Sequence, residues 1–339
     1  MPVLETFFCG SAFTFMMVQE GDLLRGKHTY KVLKYLEEGG FSDIWVGKDL
    51  KTKRKVIIKA FRNKEFDSLE EAAEYFRREI AFIDIQAQYS QDTLKLKDWM
   101  VLRRNTENPC YIMITNYIRG LDLYDWFEEL LEEEREDFYP YLVRTIYLPL
   151  AKYLQYCHNH GILHRDLSPG NIIIKKKKSK RKYVPVVIDL GASINFDPAQ
   201  LFKPPKLIYE MENTDEDTIS TEGFAAPEVN EGKFLIVQSD IYSFGAIMYY
   251  TLTQGDEIDE PEEESEYVLN PYDYNDDCPE ELADMVYRCT QYEPSDRYLS
   301  FDEIIEELQE YLKKHKPASR KSKRTSRKRD EDEEDQYED

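Results

Sequence analysis

No apolar run in this 339-residue chain is long enough to cross a bilayer. The most apolar stretch, residues 7–18, has 12 residues broken by Gly10, Ser11 and Thr14, against the roughly 20 that a span needs. It also lacks the basic start of a secretion signal. Cysteine is sparse: Cys9, Cys110, Cys157, Cys278 and Cys289 are scattered, odd in number and never in a CxxC pair. That pattern excludes a disulfide framework and a cysteine-built zinc site, and fits a reducing compartment. Positive charge is short as well, 45 Lys plus Arg against 67 Asp plus Glu, leaving −22. Nucleic acid or an anionic membrane would repel such a chain as a whole. A soluble, cytoplasmic protein is expected.

What is present suffices for a core. Apolar residues are 41% and charged residues 33%, and the length exceeds what one core usually serves, so two lobes are expected. Residues 1–27 read as an N-terminal extension and 28–315 as the folded part. Residues 316–339 read as a disordered tail, because like charges run in blocks without apolar residues. The tail holds 8 basic residues followed by 8 acidic ones, so the rest of the chain carries the whole −22. Its basic half, 320–329, is a docking arm, a nuclear address if the cell is eukaryotic, or a solubilising segment. Strands are expected at 30–36, 44–49, 55–61, 95–103 and 110–115, and a helix at 69–85. After residue 121 the pattern is mainly helical, with short apolar runs at 171–174 and 184–188.

Chemistry concentrates first in His164-Arg165-Asp166-Leu167-Ser168-Pro169-Gly170-Asn171. An Asp and an Asn five residues apart on a loop can aim a base at a hydroxyl and an amide oxygen at a metal. Asp189-Leu190-Gly191 follows at the end of an apolar run, which places a second carboxylate at a strand end. A lone DxG carries no weight, but behind that octapeptide it does. At these residues the sequence resembles the protein kinase family, whose catalytic loop reads H-R-D-L-x-x-x-N and whose metal motif reads D-F-G.

The resemblance extends over about residues 30–314. It implies an α+β, bilobal fold: an antiparallel N-lobe sheet with one helix over 28–115, and a mainly helical C-lobe over 116–315. Lys59, in Val56-Ile57-Ile58-Lys59, would hold the α- and β-phosphates of ATP, and Glu79, 20 residues later, would pair with it. Asp166 would be the catalytic base, and Asn171 and Asp189 would hold Mg2+, with Mn2+ as a substitute. Gly39 and Gly40 would let the backbone approach phosphate, and Phe41 would cap it. Ile44, Ile57 and Ile173 would line the nucleotide pocket, with Thr115 at its back. Asn116 and Ile118 would offer backbone hydrogen bonds to adenine, and Asp122 would face the ribose. His164 would be structural. Asp240 belongs to the segment resembling the central C-lobe helix, and Glu228 of Ala226-Pro227-Glu228 would pair with Arg297. That set marks protein kinases, against kinases of small molecules. Thr221 matches the threonine that serine/threonine kinases place beside the base.

Departures from the family pattern define the rival reading. Glu37 and Ser42 replace two of the three loop glycines, Ser168 stands where a lysine usually touches the transferred phosphate, and Leu190 replaces phenylalanine. Transfer of the γ-phosphate to Ser or Thr of protein substrates is the expected function; a pseudokinase that binds nucleotide as a scaffold is the alternative. Arg165 precedes the base, as in kinases ordered by a loop phosphate. Thr214, Thr218 or Ser220 would carry that phosphate, or Asp217 would supply the carboxylate, or the loop is merely acidic and solvated. Acidic runs at 128–137 and 256–266 suggest basic substrates. The basic run 175–182 is a solvated turn, or it binds an acidic partner, RNA or the chain's own acidic tail.

Overall fold

Period-two burial along the first third of the chain builds a curled antiparallel sheet. Its six strands are β1 (Leu23–Arg25), β2 (Thr29–Glu38), β3 (Ser42–Asp49), β4 (Lys55–Phe61), β5 (Leu96–Leu102) and β6 (Cys110–Asn116), in the order β1-β2-β3-β4-β6-β5. The computed structural model describes residues 18–103, 109–177, 182–196, 221, 223–230, 236–255, 258 and 267–316. β1 lies ahead of the boundary expected at residue 28. Leu23 pairs with Lys31, Leu24 is buried, and the Lys27 N–H donates to Asp98 Oδ2 on β5 at 2.6 Å. Three residues are too few for an alternation to show in the sequence, so the fold's first strand lies within the expected extension.

One face of the sheet packs Val32, Trp45, Ile58, Ile112 and Ile114 into a small outer core. The other face, carrying Phe61 and Met113, meets helix α1 (Leu69–Tyr89) through Tyr75, Phe76, Phe82 and Ile83. Ser68 starts this helix, its Oγ accepting the Glu71 N–H at 3.1 Å, which satisfies a donor that the helix leaves open.

After the sheet come β7 (Gly120–Asp122), α2 (Leu123–Leu131) and α3 (Phe138–Leu142). A π-helical turn leads into α4 (Leu148–Asn159), then β8 (Ile162–Leu163), β9 (Ile172–Lys177), β10 (Lys182–Val187) and β11 (Ile194–Asn195). The rest is α5 (Pro227–Asn230), α6 (Val237–Leu252), α7 (Glu280–Cys289) and α8 (Phe301–Lys314). Every residue of α6 is buried, the signature of a helix packed on all sides. A small strand-rich lobe thus precedes a larger helical one, the α+β bilobal arrangement. The described cysteines, Cys110, Cys157, Cys278 and Cys289, are buried and unpaired.

Strands β9 and β10 form a hairpin with Lys182 opposite Lys177. Lys175 and Lys177 of the basic run reach Asp92 at 2.9 and 2.6 Å, so two of its charges tie the hairpin to the segment after α1. Residues 178–181 fall outside the described residues. So do residues 1–17, the tail from 317, Thr214, Asp217, Thr218, Ser220, and the acidic run 256–266 apart from Ile258.

Candidate active site

Strand β4 and helix α1 meet at an ion cluster in which Lys59 and Glu79 are largely buried and the Asp189 side chain is 44% exposed. Lys59 Nζ lies 2.7 Å from Glu79 Oε1 and 3.1 Å from Asp189 Oδ1. Burial works against the Lys59 cation, but the Asp189 and Glu79 carboxylates outweigh it and hold its pKa above the ordinary lysine range. Burial likewise opposes ionised Asp189, yet Lys59 and the Gly191 N–H, 2.8 Å from Oδ1, keep its pKa low. For Glu79 burial wins and its pKa rises. Gly191 is needed here: a Cβ would fall 2.6 Å from the Tyr75 hydroxyl and 3.0 Å from Asp189 Oδ1.

Facing this cluster is the turn from β8 to β9. Arg165 sits at φ 74°, a left-handed conformation that costs a non-glycine residue roughly 1–2 kcal/mol. Asp240, fully buried on α6, fixes it. Its Oδ2 accepts from the His164 N–H at 2.8 Å, its Oδ1 from the Arg165 N–H at 2.9 Å, and Oδ2 also meets His158 Nε2 at 2.8 Å. His164 is buried, and its ring nitrogens find no hydrogen-bond partner among the described residues. Its ring therefore acts by packing.

Asp166 is held from two sides. Thr221 donates to Oδ1 through its hydroxyl at 2.7 Å and its N–H at 3.0 Å. Asn171 Nδ2 donates to Oδ2 at 2.9 Å and to the Asp166 carbonyl at 2.8 Å. Among the described residues, the hydrogen bonds of Asn171 and Asp189 run through Nδ2 and Oδ1, and none engages the Asn171 amide oxygen or Asp189 Oδ2. Two hard oxygen donors suit magnesium, which is usually held by one or two such side chains together with substrate phosphates. No cluster of three His, Cys, Asp or Glu that could hold a metal occurs among the described residues.

Around these groups the structure distributes the other expected residues. Gly39 and Gly40 form the β2–β3 turn, with the Gly39 N–H donating to the Ser42 carbonyl at 2.9 Å. Ile44 on β3 pairs with Lys59, and Ile57 pairs with Thr115, which is buried on β6. Ile173 on β9 pairs with Asp122 on β7. The Asn116 N–H is taken by the Lys95 carbonyl at 3.1 Å and is not left for a ligand. Ile118 is buried at the lobe connection. Asp122 caps α2, accepting the Asp125 N–H at 2.9 Å. Phe41 differs from the expected phosphate cap: its ring packs on Phe66 and Tyr75 at centroid distances of 5.1 and 4.9 Å. The aromatic residues gathered at this end of α1 draw it inward.

Below the catalytic turn, Arg297 and Glu228 form a fork-to-fork pair, Nη1–Oε1 2.8 Å and Nη2–Oε2 2.8 Å. The guanidinium also donates to the carbonyls of Gln291, Gln238 and Tyr292, and Ser239 donates to Glu228 Oε1. Every strong donor and acceptor is met, as a buried ion pair requires.

A family model described as protein kinase domain matches residues 30–309. The chain belongs to the protein kinase domain family. Among similar proteins, serine/threonine-protein kinase D of Synechocystis is 26% identical over 284 residues, covering 82% of this chain and 51% of that protein. Serine/threonine-protein kinase PknA of Nostoc is 28% identical over 291 residues, covering 83% and 47%. The chain thus spans about half the length of the curated relatives it matches. The Mycobacterium tuberculosis PknI kinase domain superposes with a TM-score of 0.57 at 15% identity, covering 86% of this chain and 99% of that one. That likeness establishes the kinase fold. No helix among the described residues is long and apolar enough to cross a membrane.

Three further residues support the site, and the sequence marks them weakly or not at all. His158, near the end of α4, bonds Asp240, and His160 caps the same helix, Nδ1 lying 2.8 Å from the Tyr156 carbonyl. Tyr75, one turn before Glu79 on α1, fills the space beside Gly191. Arg62, three residues after Lys59, grips the glycine turn. The one available signal for Arg62 was the pair of acids, Glu38 and Asp43, that flank that turn.

Proposed function

We propose that the protein is a serine/threonine protein kinase that uses ATP with magnesium and transfers the γ-phosphate to protein hydroxyls. The carrying observation is the joint engagement of Lys59 with Glu79 and Asp189, while Asp166 is oriented by Thr221 and Asn171. Lys59 would orient the α- and β-phosphates as a fixed cation. Asn171 and Asp189 would hold the metal through the oxygens their own hydrogen bonds leave open. When bound, magnesium supplies neutralisation of charge on the transferring group.

Asp166 does the proton chemistry. Its Oδ1 carries two donors from Thr221, whereas Oδ2 carries one from Asn171. A lone pair on Oδ2 is thus available to accept the proton of an incoming hydroxyl. Positioning and charge stabilisation account for most of the rate in such transfers. The Thr221 hydroxyl beside the base favours serine and threonine as acceptors. The acidic segment 128–137, on and after α2, favours basic substrates.

The test is phosphoamino-acid analysis of a basic generic protein labelled from γ-labelled ATP, with and without a magnesium chelator. Label on serine or threonine that disappears with the chelator is expected. Label on tyrosine alone would overturn the acceptor assignment. A second reading, nucleotide binding without transfer, rests on Ser168, a buried neutral residue at the position of the usual lysine. It would be favoured by bound ATP with no label.

A further inference from the structure

Strand alternation places Arg62 on the side of the sheet away from the ion cluster. Lys59 reaches Glu79 on α1 and Phe61 packs toward α1, whereas Ile58 and Ala60 belong to the outer core. Arg62 continues the extended backbone, φ −97° and ψ 106°, and so takes the outer face. There its Nη2 donates to the carbonyls of Gly39 at 2.6 Å and Gly40 at 2.7 Å. Nη1 meets Asp43 Oδ1 at 3.2 Å and also Glu38 Oε1, Nε lies 3.3 Å from Glu65 Oε1, and the Arg62 N–H donates to the Phe41 carbonyl at 2.9 Å. The side chain is only 11% exposed.

Because a trans peptide is planar, its C=O and the following N–H point in opposite directions. Drawing the Gly39 and Gly40 carbonyls to the outer face aims the N–H groups of Gly40 and Phe41 at the cleft. Neither N–H donates to another described residue. The same guanidinium offsets part of the negative charge of Glu38 and Asp43, which would otherwise repel an anion at this turn more strongly.

We propose that Arg62 is a positioning residue for the nucleotide. It turns two backbone donors toward the phosphates and offsets part of the charge of the flanking acids, in a loop where Glu37 and Ser42 stand in place of two glycines. The inference rests on the nucleotide-binding reading above and adds to it a determinant of phosphate affinity outside the cleft.

The experiment measures Mg·ATP binding by calorimetry, and KM and kcat for transfer, in wild type, Arg62→Ala and Arg62→Lys. Melting of the nucleotide-free proteins is followed alongside. Arg62→Ala is expected to raise the Kd and KM for Mg·ATP by about tenfold to a hundredfold, as loss of charge-assisted hydrogen bonds implies, with kcat little changed. Arg62→Lys keeps the charge and loses the fork, so it recovers only part of the affinity. Should the alanine variant not fold, Arg62→Lys and Arg62→Gln carry the test, and both are expected to raise KM. Unchanged KM in a folded variant, or a loss confined to kcat, would overturn the positioning role and leave the kinase reading intact. A wild type that binds no Mg·ATP would overturn the functional reading and this inference together.

Discussion

At the scale of residues, the site is a set of side chains whose second contacts decide their first. Asp166 shows it: three hydrogen bonds from Thr221 and Asn171 to its carboxylate leave it one useful direction. Replacing Thr221 by Ala removes one donor from Oδ1 and is expected to lower kcat by about tenfold, with KM for ATP unchanged. Thr221→Ser should retain most of the wild-type rate, since it keeps the hydroxyl; an equal fall in both, read in steady-state transfer, would show that the methyl group matters instead. The residues legible in the sequence were those whose chemical type is dictated by the reaction, namely Lys59, Glu79, Asp166, Asn171 and Asp189. His158 and Tyr75 were not legible, because their partners come from elements distant in sequence, and Arg62 was marked only by the acids that flank the glycine turn.

Elements were legible in proportion to their length. Period-two alternation marked β2 to β6, and helical spacing marked α1, each within a few residues of the observed bounds. The three-residue β1 and the two-residue β8 and β11 are held by pairing across the fold, which leaves no local trace. α6 carries the helical lobe, and its Gly245 lets α7 approach closely: a Cβ there would lie 2.4 Å from the Cys289 Cβ. Gly245→Ala is expected to cost about 1–3 kcal/mol through overpacking. Arg297→Ala leaves Glu228 charged, buried and unpaired, and is expected to cost about 3–5 kcal/mol. Denaturant titration of both variants checks the order, with Arg297→Ala the more damaging.

Across the whole molecule, Asp240 links the helical lobe to the catalytic turn. Burial raises its pKa, but the His158 contact and the backbone donors lower it further, and the net shift is downward. A carboxylate depressed in the folded state stabilises fully above its ordinary pKa and loses that contribution as pH falls through the folded value. The stability gap between wild type and Asp240→Asn should thus be full at neutral pH and shrink below about pH 4, as read by urea titration across pH. A gap that widened in acid would contradict the assignment.

The central claim, that this arrangement transfers phosphate with Asp166 as the base, is tested most directly by comparing wild type with Asp166→Ala. Transfer from γ-labelled ATP and binding of Mg·ATP are followed in the same preparations. Binding is expected to be equal, with transfer in the variant slower by about a hundredfold or more. Equal transfer in the two proteins, or none in a wild type that binds Mg·ATP, would contradict the account.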